Sequence, residues 1–77
     1  MSAPSIPAAI GLVIRRYRLE LGISQEDFAD LVGMHRTQYG AIEQGRKDCQ
    51  LSTLLRLSRG LGIPLGQLAR DIEALSP

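Results

Sequence analysis

Residues 24–45 read SQEDFADLVGMHRTQYGAIEQG, and this stretch decides the fold. Ser24 followed by a polar, acidic turn is typical of a helix start, because the hydroxyl caps free backbone N–H groups. Gly33 interrupts the apolar pattern, and glycine is favoured where the backbone φ must be positive. We therefore predict two short helices, at about 25–32 and 36–44. Short helices joined by so few residues cross at a steep angle, which predicts a helix-turn-helix.

The two short helices cannot be stable alone and must pack on their neighbours. In chain order these are helices two and three. Phe28 and Ala29 belong to the apolar side of helix two, and Tyr39 and Ile42 are the inward residues of helix three. A buried Tyr39 hydroxyl needs a hydrogen-bond partner or an exit to solvent. Gly40, in the middle of helix three, lowers the stability of that helix by up to ~1 kcal/mol relative to alanine.

Three further helices complete the chain. Apolar spacing of three and four predicts helix one at about 7–21, closed by Gly22, and helices four and five, separated by Gly62 and Pro64. The positions that define them are Ile6, Ile10, Val13, Ile14, Tyr17 and Leu21, then Leu51, Leu54, Leu55, Ser58 and Leu61, then Leu65, Leu68, Ala69, Ile72 and Leu75. Since no segment alternates with a period of two, we predict no strand. The predicted fold class is all-α.

The length of 77 residues indicates one small domain. We expect a flexible N-terminal arm at residues 1–6 and a single helix-turn-helix domain at residues 7–76. The sequence contains neither a signal-peptide pattern nor an apolar run long enough for a membrane span. A lone cysteine, Cys49, cannot form an intrachain disulfide, which indicates a reducing compartment and a cytoplasmic location.

The residue types argue against catalysis. The chain has no glycine-rich phosphate-binding motif, no convincing pair of carboxylates and no nucleophile with a base. Cys49 and a lone histidine, His35, cannot supply the four ligands of a zinc site. We therefore expect no enzyme activity, no metal, no cofactor and no small-molecule ligand.

Four landmarks, in order along the chain, carry a family resemblance. They are LGISQ at 21–25, MHRT at 34–37, IEQGR at 42–46, and LLRL with LGI at 54–57 and 61–63. Over roughly residues 10–70 the sequence resembles the xenobiotic-response-element and phage Cro and repressor family of helix-turn-helix proteins. The resemblance implies a lambda-repressor-like domain of five helices that binds double-stranded DNA. The sequence departs from the family at Gln38, Tyr39, Gly40 and Cys49.

The resemblance implies that the start of helix three enters the major groove. The residues that it places in position to read bases are Arg36, Thr37, Gln38 and Ala41. A guanidinium can bond both O6 and N7 of guanine, which makes Arg36 the foremost candidate, and its alternative is a solvated or phosphate-facing side chain. Gly40 stands where the family usually has serine, and the missing side chain would be tolerable if it allowed close approach to DNA.

The same resemblance implies a set of phosphate contacts around helix three, namely Ser24, Gln25, His35, Arg46 and Lys47. Each has a plainer alternative: Ser24 as an N-cap alone, His35 as an ordinary turn residue, and the two basic residues as solvated loop charges. In the family, the residues that match Arg18 and Glu43 pair between helix one and the end of helix three. We expect this ion pair here.

Helix five carries more apolar surface than a terminal helix obviously needs, at Leu65, Leu68, Ile72 and Leu75. Because family members commonly bind as two-fold dimers, we expect a homodimer through this helix and the loop before it. The alternative is that the apolar stripe simply closes the core, and the stripe can also do both.

The function predicted is a sequence-specific DNA-binding transcriptional regulator that acts on a palindromic operator. The alternative is a protein-interaction module of the same fold, an antitoxin or coactivator-like adaptor, in which DNA binding is secondary. The net charge of +1 is uneven: residues 15–18 carry three arginines, whereas residues 19–34 carry four acidic side chains and no basic one. This distribution is compatible with DNA binding but indicates modest non-specific affinity.

Overall fold

Five helices account for most of the chain in the computed structural model, which describes residues 2–77. The helices are α1 (Ile6–Leu21), α2 (Gln25–Leu31), α3 (Arg36–Glu43), α4 (Leu51–Leu61) and α5 (Leu65–Leu75). Over this described range no strand forms, so the all-α prediction is confirmed. Helices α1, α2 and α3 each differ from the predicted bounds by one residue at one end.

Helix α1 begins earlier than predicted. The Ser5 hydroxyl caps it by accepting a hydrogen bond from the Ala8 N–H at 3.3 Å, and Pro7 stands in the first turn. Ile6, which the sequence assigned to the arm, is therefore the first residue of α1. The reason is that a serine three positions before a free N–H provides the cap that the helix start requires. Met1 lies outside the described residues, and the flexibility of the arm stays a prediction.

The link between α2 and α3 has the predicted character. The Ser24 hydroxyl accepts from the Asp27 N–H at 3.0 Å and so caps α2. Gly33 follows the helix with φ +71°, a conformation that costs glycine little and other residues much. The Met34 N–H then donates to the Ala29 carbonyl at 2.8 Å, and α3 starts two residues later.

The core lies between α1 and the other helices. Helix α1 packs against α3, α4 and α5, while α2 packs on α3 and α4 packs on α5. The ring of Phe28 meets that of Tyr39 edge-on, with ring centroids 5.3 Å apart. The largest fully buried side chains are Tyr39, Phe28, Ile14, Leu57, Leu68 and Val13.

The face that α4 presents to the core overlaps the predicted one at Ser58 and Leu61 but is shifted toward Leu57. Leu57 is fully buried although it was not among the predicted positions, and Leu51 is 69% exposed although it was. The buried side of α4 consists of Leu57, Ser58 and Leu61, with Leu54 half-buried beside it. A helix with leucines on several sides does not reveal its inward face through spacing alone.

Gly11 lets α1 lie directly against the end of α3. A Cβ added at Gly11 would stand 2.4 Å from the Glu43 carbonyl oxygen and 2.6 Å from that of Ile42. Both distances are far below van der Waals contact, so the two helix backbones touch at a point where no side chain fits. This contact fixes the position of α3, which carries the predicted DNA-reading residues.

Candidate nucleic-acid interface

Helix α3 has one face in the core and another in solvent. Tyr39 and Ile42 lie inward, as predicted. Of the four residues predicted to read bases, Arg36, Thr37 and Gln38 are exposed and Ala41 is half-buried. The helix therefore offers a short, polar surface at its N-terminal half.

Two clefts flank this surface. The first, which we call the α2–α3 cleft, is lined by residues 24–26, Arg36, Thr37, Gly40, Gln44 and Arg46. The second, the α3–α4 cleft, lies on the other side of α3 and is lined by Met34, Gln38, Ile42, Lys47, Cys49 and Thr53, among others. The predicted contact residues thus divide between two sides of one helix.

The structure places the five predicted phosphate contacts at different points around α3. Ser24, Gln25 and Arg46 line the α2–α3 cleft, whereas Lys47 lines the α3–α4 cleft. His35 caps α3, with its Nδ1 accepting from the Thr37 N–H at 3.4 Å. Nothing in the sequence near Arg46 and Lys47 indicated that these neighbours lie in separate clefts.

Arg36 has an acidic partner that the sequence did not suggest. Its Nη1 lies 3.3 Å from a carboxylate oxygen of Glu26, at the start of α2. Both side chains are mostly exposed, at 68% and 64%, so the pair contributes little to stability. It does place the Arg36 guanidinium beside the Glu26 carboxylate at the α2–α3 cleft, which both residues line.

The ion pair expected between α1 and α3 is present. Arg18 donates from Nε and Nη2 to the two carboxylate oxygens of Glu43, at 2.9 and 2.7 Å. Arg18 Nη1 also donates to the Ile23 carbonyl at 2.8 Å. Both residues are 6% exposed. A charge-assisted pair with two parallel hydrogen bonds fixes the relative orientation of the helices that carry it.

Two further donors bind the Glu43 carboxylate, and Arg15 Nε lies 3.9 Å from its Oε1. The Tyr39 hydroxyl donates to the same carboxylate, which gives that buried hydroxyl the partner it needs. Gln25 Nε2 donates to Glu43 Oε1 at 2.9 Å. The tyrosine is four residues before the glutamate on one helix, a spacing from which this bond could have been predicted. Gln25 lies on another helix, and no local pattern identifies it as a partner.

This environment keeps Glu43 charged. Burial by itself would raise the pKa of the carboxyl, but hydrogen bonds from Arg18, Tyr39 and Gln25 outweigh burial and lower that pKa below its usual value. Burial and the bond to Glu43 raise the pKa of Tyr39 well above its usual range. Within residues 2–77, every buried side-chain nitrogen and oxygen has a hydrogen-bond partner. The cluster is therefore a satisfied buried network, which holds α3 in place.

The structure corrects the predicted dimer surface on α5. Leu68 is fully buried in the core of the single chain, and Ile72 is nearly so. These two residues are not available for a second chain, because α5 uses them to pack against α1. Leu65 is half-buried and Leu75 is 36% exposed, so only these two of the four remain accessible. The Leu68 and Ile72 part of the apolar stripe closes the core, whereas Leu65 and Leu75 stay accessible.

Comparison with known proteins identifies the family. A family model described as helix-turn-helix matches residues 14–68. The chain belongs to the helix-turn-helix family. It is 39% identical to control protein C.MunI from a Mycoplasma species over 69 residues, which cover 88% of this chain and 93% of that protein. The sequence-based prediction of the Cro and repressor type of helix-turn-helix protein is confirmed.

Solved structures of family members have the same architecture. The restriction-modification controller protein C.AhdI from Aeromonas hydrophila superposes with a TM-score of 0.77 at 32% identity, covering 80% of this chain and 94% of that one. The controller protein C.Esp1396I, solved as a tetramer with its natural 35-base-pair operator, gives a TM-score of 0.76 at 26% identity, with 88% and 95% covered. The predicted five-helix, lambda-repressor-like fold is confirmed.

The comparisons also decide between the two predicted functions. They support a DNA-binding transcriptional regulator and not the protein-interaction module. Regulators of this helix-turn-helix family are not enzymes as a class. Among the helices that the structure describes, none is long and apolar enough to cross a membrane.

Proposed function

We propose that this regulator inserts α3 into the major groove of a two-fold symmetric operator and binds it as a homodimer. The observation that carries the proposal is the placement of α3. One face is locked to α1 through Arg18 and Glu43, and the opposite, polar face is exposed between two clefts. A helix that is held on one face by the rest of the domain and exposed on another face is suited to entering the major groove.

The clefts on the two sides of α3 support this docking. A helix with its side chains is about 10–12 Å across and the major groove is about 12 Å wide, so each side of an inserted helix faces one sugar–phosphate strand. We propose that Ser24, Gln25 and Arg46 contact one strand from the α2–α3 cleft and that Lys47 contacts the other. His35, at the N-terminus of α3, would then contact phosphate or sugar between them.

Base reading falls to the exposed residues of α3. We assign guanine to Arg36, because its guanidinium can bond O6 and N7 together once Glu26 releases it. Gln38 can bond N6 and N7 of adenine, and the methyl groups of Thr37 and Ala41 can touch a thymine methyl. These assignments predict which base positions each substitution will affect.

We propose the homodimer on two grounds. One recognition helix reads a short site, and two-fold symmetry doubles the site without new residues. Leu75 and Leu65 remain accessible on α5 after the core is closed, and they are the apolar residues of that helix that we assign to the interface. Similarity to C.MunI and C.AhdI across most of each chain makes control of restriction–modification genes the setting that we propose. Such a role places the protein with the DNA, in the cytoplasm.

The proposal is tested by selecting bound sequences from a pool of random duplex DNA at about 0.15 M salt, where non-specific binding is weak. We expect enrichment of a palindrome with half-sites about 10 base pairs apart, centre to centre. Sedimentation equilibrium on the same preparation should show a dimer. Failure of the folded protein to enrich any sequence would overturn DNA reading, and a monomer at high micromolar concentration would overturn the dimer alone.

A further inference from the structure

Gly40 occupies a position at which the fold does not require glycine. Its φ is not positive, since the glycines with positive φ are Gly22, Gly33, Gly45 and Gly62. A Cβ added there would meet a single neighbour in residues 2–77, Gln25 Oε1, at an ordinary van der Waals distance of 3.9 Å. Alanine would fit and would favour the helix. Gly40 therefore differs from Gly11, where an added Cβ would collide with backbone.

The surroundings of Gly40 suggest another reason for the missing side chain. Gly40 is buried at the floor of the α2–α3 cleft and lies one helical turn after Arg36, on the same side of α3. Arg46 lines the same cleft. The Gln25 amide runs past Gly40 to reach Glu43, and its donor is held by that carboxylate. The cleft carries two arginines against one carboxylate, that of Glu26, and has no side chain at Gly40. This balance of charge suits a polyanionic strand.

Helix geometry gives the size of the effect. The Cα atoms of a helix lie about 2.3 Å from its axis, whereas side chains extend to about 5–6 Å. At the one position that lacks a side chain, another surface can therefore come closer to the helix axis by up to about 3 Å. In a groove that leaves little room beside an inserted helix, this difference decides how deeply the helix sits.

We propose that Gly40 determines how α3 seats in DNA: the space left by its missing side chain lets one sugar–phosphate strand enter the α2–α3 cleft, which brings Arg36 within reach of the base edges. The proposal rests on the DNA-binding function proposed above. Gly40 makes no base contact in this arrangement. It is a positioning residue, and glycine at this place weakens α3 while it strengthens binding.

The experiment compares the wild type with Gly40→Ala, Gly40→Gln and Gly66→Ala. Gly66 is the matched control: it lies in α5, its φ is not positive, and an added Cβ would meet Arg70 Nη1 at 3.7 Å. Melting is followed by circular dichroism. Binding is measured by fluorescence anisotropy on the duplex that the wild type selects from the random pool.

We expect Gly40→Ala to raise the Tm by about 4 °C, since alanine is the stronger helix former. Its affinity for the selected duplex should fall about tenfold, as for the loss of one good contact, and that of Gly40→Gln should fall further. Gly66→Ala should raise or preserve the Tm and bind like the wild type. Opposite changes in stability and affinity at one residue are the expected signature.

Three results would overturn the proposal, and each points to a different error. If Gly40→Ala binds as tightly as the wild type, the strand does not seat against Gly40, and the DNA-binding function stands. If its Tm falls by several degrees, the fold itself requires the glycine. If the wild type selects no duplex from the random pool, the proposed DNA-binding function is wrong, and the role of Gly40 falls with it. This result is obtained before any variant is made.

Discussion

The guanidinium of Arg18 and the carboxylate of Glu43 face each other in a buried pair of parallel hydrogen bonds, at 2.9 and 2.7 Å. The pair joins the last turn of α1 to the last residue of α3. Because Tyr39 and Gln25 donate to the same carboxylate, one side chain ties three helices together. The stability of the domain and the placement of the surface that we propose to read DNA therefore depend on the same residue.

Glu43→Ala should destabilise the domain strongly. It leaves the Arg18 charge and the Tyr39 hydroxyl buried without their acceptor, and removing one partner of such a pair costs about 3–5 kcal/mol. The free energy of unfolding, measured in urea by circular dichroism, should fall by that amount. Glu73→Ala, at an exposed position of α5, should change it little. The double variant Arg18→Met with Glu43→Leu should lose less than Glu43→Ala. A loss below 1 kcal/mol for Glu43→Ala would contradict this account.

Stability should fall in mild acid, and Glu43 should account for part of the fall. Hydrogen bonds lower its folded pKa below the unfolded value of about 4.3, so the unfolded chain takes up the proton first as pH drops. The stabilisation is complete above the unfolded pKa and is lost as pH falls through the folded pKa. Glu43→Gln should flatten the dependence of Tm on pH between about 5 and 3. The Tyr17 hydroxyl lowers the pKa of Asp71, so Asp71 should also contribute to the loss of stability in acid. Asp71→Asn is the control that separates its contribution from that of Glu43.

Arg36→Ala and Lys47→Ala should affect DNA binding in different ways. Loss of Arg36 should cost about 1–3 kcal/mol on the selected operator and relax the preference at one base position. Lys47→Ala should weaken binding to all sequences alike and reduce the slope of log affinity against log salt by about one. Arg46→Ala should behave like Lys47→Ala. Titrations of matched and mismatched duplexes at several salt concentrations provide the measurement, and unchanged base preference in Arg36→Ala would refute its assignment.

Glu26→Gln should raise non-specific affinity. The Glu26 carboxylate neutralises Arg36 in the free protein and lies in the cleft that we assign to a phosphate strand. Removing its charge should strengthen binding to a scrambled duplex more than to the selected one, so that the ratio of the two affinities falls. Stability should change by less than about 1 kcal/mol, because the pair is exposed. Glu73→Gln makes the same charge change on α5, and an equal effect there would show that net charge alone is responsible.

Leu68→Ala and Leu75→Glu should distinguish a residue of the core, which affects folding stability, from a residue of the proposed interface, which affects dimerisation. Leu68 is fully buried in the single chain, so its truncation should cost about 2–5 kcal/mol of folding stability. Leu75 is 36% exposed, and a charge there should leave folding intact while it weakens dimerisation. Analytical ultracentrifugation and thermal melting distinguish these effects. A stable Leu75→Glu variant that remains fully dimeric would remove Leu75 from the interface.

Local sequence signals predicted the helices well, since Ser24 and the glycines at 22, 33, 45 and 62 mark their ends in both sequence and structure. Signals from helix faces were weaker. Periodicity identifies an apolar stripe but does not show which surface covers it. It therefore predicts an interface at Leu68 and Ile72, whereas the structure buries both residues in the core of the single chain. The bond from Gln25 to Glu43 joins residues that are far apart in the chain, and no pattern within one helix reveals it.

The backbone contact at Gly11 has a consequence for operators. Since α1 and α3 meet there without intervening side chains, and Arg18 and Glu43 hold the same junction, α3 cannot turn or slide without carrying α1 with it. Each subunit would therefore present its recognition helix as part of a rigid block. The distance between the half-sites of an operator would then be set by how the two subunits are arranged. A different spacing could be bound only if whole subunits moved relative to each other.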